Sequence, residues 1–102
     1  MKPVRLDEHA KAELREAVLV YDQQLSGRGQ RFLDAVDEAL TEISQRTQGF
    51  ARLGKSIYRE CILTRFPYIL YFRELEDVIE VAAISHGRRK PGYWIPRTNR
   101  SE

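Results

Sequence analysis

Residues 68–84 read YILYFRELEDVIEVAAI. Two β-branched and aromatic runs, 68–72 and 78–84, flank the polar connection Glu74-Leu75-Glu76-Asp77, which is short enough to act as a tight reversal. The two runs are therefore predicted to be antiparallel strands. Just upstream, Ile57, Cys61 and Leu63 alternate with polar neighbours and add a third strand to the ladder. Pro67 has no N–H to donate, so it belongs at a strand start, an edge or a bulge.

Further towards the N-terminus the period changes from two to between three and four. Ala10, Leu14, Ala17, Val18, Tyr21 and Leu25 recur at helical spacing, with Asp7 placed to cap the helix and Glu8 in its first turn. Ser26-Gly27-Arg28-Gly29 breaks it, because glycine accepts the positive φ that closes a helix. A second helix is predicted over about 30–46, with Phe32, Leu33, Val36, Ala39, Leu40 and Ile43 on one face. The short connection makes an antiparallel helical hairpin. With a short β-prone opening over residues 3–6, the order is β-α-α-β-β-β. This α+β layout places the hairpin over one face of a twisted antiparallel sheet. A single domain over 1–102 is expected, with 88–102 forming a basic, partly irregular tail.

Composition sets the class. The chain is 42% hydrophobic and 31% charged over 102 residues, a globular balance with room for one core. Cys61 is the only cysteine, so an intrachain disulfide is impossible and the paired-cysteine zinc patterns are absent. A reducing cytoplasm is the expected location. The opening MKPVRLDEHAK lacks the apolar stretch of a signal peptide, and no segment approaches the length of a membrane span. No metal or cofactor is expected, since there is neither a Gly-rich phosphate loop with its lysine nor a His-Glu metal pattern.

Net charge is +2, but its distribution is uneven. Residues 1–48 hold seven Lys/Arg against nine Asp/Glu, and residues 49–102 hold ten against six. The excess peaks in HGRRKPGYW (86–94), where the last strand ends. An imidazole there can exchange a proton near neutral pH. Arg88 and Arg89 can grip phosphate oxygens, and Tyr93 or Trp94 can offer a stacking face; the alternative is that both rings plug the end of the core, which suits Trp94 better. Lys55, Arg65, Lys90 and Arg97 add cations that the strand order can bring to the same surface. The common requirement is an anionic or acid-rich partner.

These stretches carry a family resemblance. HAKAELREAVLVY (9–21), GRGQRFLDAVDEAL (27–40), RFPYILYF (65–72) and AISHGRRKPGYW (83–94), followed by Arg97, together resemble the RelE/ParE superfamily of toxins from type II toxin-antitoxin modules, in the ParE-like, plasmid-stabilisation group. The resemblance implies the same β-α-α-β-β-β fold and a cognate antitoxin that wraps the toxin into a hetero-oligomer. It also implies one of two activities. A ParE-like toxin inhibits DNA gyrase. A RelE-like toxin is a metal-independent endoribonuclease that cuts mRNA on the ribosome, and for it the resemblance implies His86 as base or acid, Arg65 and Arg89 on the phosphate, and Tyr93 on the nucleotide. The lysine-rich strand of some nuclease members is reduced here to Lys55, followed by Ser56, Ile57 and Tyr58. That departure favours gyrase inhibition, with Lys55, Arg88, Lys90, Trp94 and Arg97 as binding residues.

Overall fold

The computed structural model describes residues 2–99. Strand β1 (Val4–Leu6) runs directly into helix α1 (Glu8–Gln24), whose N-cap Asp7 accepts the His9 N–H at 2.9 Å. Helix α2 (Arg28–Gln45) follows within three residues. Asp22 shapes the connection by accepting the Gly27 and Gly29 N–H groups at 3.0 and 3.3 Å, and Gly27 takes the φ of 88° that the reversal needs. Gly29 has a second reason to be glycine. A Cβ there would lie 2.6 Å from the Val18 carbonyl oxygen, so its absence lets the two helices cross closely.

A short 3-10 turn (Thr47–Gly49) leads to β2 (Arg59–Ile62), β3 (Tyr68–Glu74) and β4 (Ile79–His86), and helix α3 (Ile95–Asn99) closes the described chain. The four strands form one sheet in the order β1-β4-β3-β2. The ladder β2-β3-β4 is antiparallel as the sequence predicts, with Leu75 N–H donating to Val78 O across the tight turn. β1 differs from the all-antiparallel expectation, because it joins the far side of β4 in parallel, Leu6 opposite Val81. The long connection between them, through the helical hairpin and strands β2 and β3, makes that pairing possible.

The helical hairpin covers one face. Phe32, Val36 and Ile43 of α2, with Ala10, Ala17 and Tyr21 of α1, pack on Leu70, Phe72, Ile79, Val81 and Ile84. Two apolar residues fall outside their expected roles. Leu25 ends α1 rather than lying on its buried stripe, and Ile57 precedes β2; they are 55% and 61% exposed. The other face of the sheet is also covered, which explains why β4 is buried along Ile79 to Ser85 without alternation. There Tyr58, Tyr71, Ala82, Ala83 and Trp94 form a second apolar cluster. Beside it Glu80, nearly buried, is held by Arg5 at 3.0 Å and Arg73 at 2.9 Å, so its charge is compensated.

The partly irregular tail is thus a structural layer over its described length. After the turn that follows β4, the chain lies back on the sheet, inserts Trp94 and ends in α3; Arg100 and Glu102 lie outside the described residues.

Candidate functional site

β4 sets the site by where its partners stop. Its register to β3 shifts between Tyr71 and Phe72, which face Ala83 and Val81 and leave Ala82 as the extra residue of a bulge. On the opposite side β1 pairs only through Val81. Past that point the edge carries the Ala82 carbonyl and the Ile84 N–H, and buried backbone groups must find partners. Glu13 of α1 accepts the Ile84 N–H at 3.0 Å, and Arg97 donates to the Ala82 carbonyl at 2.8 Å.

The same Glu13 carboxylate gathers the tail. Its Oε2 accepts the Tyr93 hydroxyl at 2.6 Å and lies 3.7 Å from Arg89 Nη1, while Oε1 accepts from Arg97 Nη2 at 3.1 Å. The Arg89 guanidinium sits 3.5 Å from the centre of the Tyr93 ring. Burial, with the bond to Glu13 second, pushes the Tyr93 phenol up to about 12. Trp94 is fully buried, stacked on Tyr71 at 4.0 Å and edge-on to Tyr58 at 5.5 Å. Trp94 Nε1 and Arg97 Nε are buried with no hydrogen-bond partner among the described residues.

His86 closes β4 with its ring against Tyr68, centroids 5.4 Å apart. Its Nδ1 accepts the Arg88 N–H at 3.1 Å, so the proton of the neutral ring sits on Nε2. Gly87 N–H donates to Pro67 O at 2.7 Å and Arg89 N–H to His86 O at 3.0 Å, fixing the turn against the β2–β3 loop.

The residues singled out in the sequence therefore divide. His86 and Arg89 line one small hollow with Glu13, Glu16, Tyr68 and Ser85. Tyr93 is beside Arg89, but its hydroxyl is engaged by Glu13. Arg65 is elsewhere, exposed in the β2–β3 loop, where it lines an open groove of about 690 Å³ between α2 and the β2 edge. The two hollows share no lining residue. Trp94 and Arg97 are packed into the tail's attachment. Arg88, Lys90 and Lys55 are exposed and make no ion pair among the described residues. Lys55 rides on the loop whose Leu53 and Tyr58 pack in the Trp94 cluster, which puts it on the tail's side of the sheet.

Glu13 was not singled out in the sequence. Its one local signal is position: it falls three residues after Ala10 and four before Ala17, both buried, so a carboxylate stands beside an apolar stripe. Among the described residues no group of three His, Cys, Asp or Glu side chains could hold a metal ion, and no helix is long and apolar enough to cross a membrane.

No curated protein sequence matches the chain. Among solved structures, a chain described as the chromosomal ParDE TA system from P. aeruginosa is similar with a TM-score of 0.65 and 21% identity, over 84% of this chain and 96% of that one. That likeness is one of fold. The family model for the ParE toxin of the type II toxin-antitoxin system, parDE, matches residues 4–91, a span that includes Glu13, Arg65, His86 and Arg89 and stops short of Tyr93. With that match over most of its length and the fold in agreement, the chain belongs to the ParE toxin family.

Proposed function

We propose that this chain is the growth-arresting toxin of a toxin-antitoxin pair, that it acts in the cytoplasm by binding and inhibiting DNA gyrase, and that a cognate antitoxin neutralises it. The observation that carries the choice of target is the engagement of Tyr93, its hydroxyl by Glu13 and its ring by Arg89. A nucleotide that was to stack on Tyr93 would have to displace the Arg89 guanidinium 3.5 Å from its ring centre, on a ring whose hydroxyl Glu13 holds at 2.6 Å. Arg65, the second cation of the nuclease set, lines a different groove. What faces outward is a cationic turn, Arg88 and Lys90, on a rigid support, and that suits an acid-rich protein surface.

The test is to induce the chain alone in bacteria and to follow growth, plasmid topology and transcript integrity in the same culture. Growth arrest with relaxed plasmid and intact transcripts is expected, relieved by the product of the adjacent gene. Cut transcripts with normal topology would instead assign the chain to metal-independent RNA cleavage through His86 and Arg89. Healthy growth would remove the toxin reading altogether.

A further inference from the structure

We infer that Glu13 is a positioning residue for the cationic turn 87–90: its carboxylate straps the segment 87–99 to the β4 edge and so fixes where Arg88, Arg89 and Lys90 stand. The functional weight of that turn rests on the gyrase-binding reading, whereas the strap itself is tested without it.

The first ground is the way the apolar packing divides. The main cluster between helices and sheet contains no residue of 87–99. The strap's apolar side chains, Tyr93, Trp94 and Ile95, pack only in the second cluster on the opposite face. Detaching the strap therefore opens the second cluster and leaves the first closed. Such a segment can open locally while the body of the protein stays folded.

A second ground is donor-acceptor bookkeeping at one side chain. Four donors converge on Glu13: the Ile84 N–H, the Tyr93 hydroxyl, Arg97 Nη2 and, more distantly, Arg89 Nη1. An ionised carboxylate accepts at both oxygens. Glutamine has one acceptor oxygen, and its amide hydrogens would face the donors at the other position. Aspartate has the charge but is one methylene shorter. Glu13 and Arg97 are 17% and 19% exposed at their side chains, so removing the anion leaves a largely buried cation uncompensated.

The third ground is connectivity. Glu13 belongs to α1, and it touches the strap at residues 80 and 84 positions away while holding the free edge of β4. The turn 87–90 lies between two fixed points, the Gly87–Pro67 bond at one end and the Glu13–Tyr93 bond at the other. Its cations can hold one geometry only while both persist.

Trp94 is the single tryptophan of the chain and reports directly on the strap. For Glu13→Gln we expect a red-shifted Trp94 emission, trypsin cutting within 88–90 faster by about tenfold, and an unchanged far-UV spectrum. Tyr93 in that variant is expected to ionise at lower pH than in the parent while the α2 amides around Val36 keep parental exchange protection, a combination that a general loss of stability would not produce. Gyrase inhibition is expected to weaken by about tenfold, since the turn no longer meets its target in one geometry. Parental emission and parental cleavage in Glu13→Gln would overturn the inference, as would a loosened strap with undiminished inhibition. If Glu13→Gln does not fold, Arg97→Gln removes the strap's side of the contact without altering α1 and must expose Trp94 in the same way; a buried Trp94 there overturns the inference. A parent protein that leaves gyrase untouched sinks the proposed function instead, and the emission and cleavage results still decide Glu13.

Discussion

The Tyr93 hydroxyl donates to Glu13 Oε2 at 2.6 Å across 80 positions of sequence, and this bond joins the last described turn of the chain to its first helix. Tyr93→Phe keeps the ring under Arg89 and removes only the hydroxyl. We expect it to lower unfolding stability by about 1.5–3 kcal/mol, as for a hydrogen bond to a charged group, measured by urea denaturation. Parental stability would mean that Tyr93 is free for another role.

The alkaline limb of stability follows from the same phenol. Its pKa is raised in the fold, from about 10 to about 12, by burial first and the Glu13 bond second. The fold thus favours the neutral phenol, and its contribution is complete below about pH 10 and lost as pH climbs towards 12. Burial raises Tyr21, Tyr68 and Tyr71 in the same direction. Stability should decline across this window, with Trp94 emission shifting before the far-UV signal. A parent and a Tyr93→Phe variant with identical profiles would contradict this assignment.

Cys61 lies on the floor of the groove between α2 and β2 and is buried. Burial, reinforced by the nearby Glu42 and opposed by Arg46, pushes its thiol up to about 11. Near neutral pH it should therefore react with a maleimide far more slowly than the unfolded chain does. Labelling of the native protein at the unfolded rate would show that the groove floor is open.

Trp94→Ala should cost about 3–5 kcal/mol, as for other large buried aromatic residues cut to alanine. The loss should come mostly from the second cluster, so amide exchange should quicken at Tyr71 and Ala83 while the α2 amides around Val36 stay protected. Uniform loss of protection would mean that the two clusters unfold together.

The elements themselves were readable because each depends on a local period. Phe32, Val36, Ala39 and Ile43 follow helical spacing, and the turn at 74–77 could only join antiparallel neighbours. Leu25 and Ile57 match the same periods yet fall just past element ends, where period carries no information about burial. The parallel seat of β1, the inserted Trp94 and the grip of Glu13 all depend on contacts between distant parts of the chain. Arg65 illustrates the limit for the site: strand adjacency brings its loop to the right end of the sheet, but only coordinates tell which side of that end the arginine lines.

The most direct measurement of the central claim is a supercoiling assay with purified gyrase, relaxed plasmid and the purified chain, run beside a translating ribosome extract. The expected result is dose-dependent loss of supercoiling with intact mRNA, reversed by the antitoxin. Full supercoiling at saturating protein, with mRNA cut in the parallel reaction, would contradict the account.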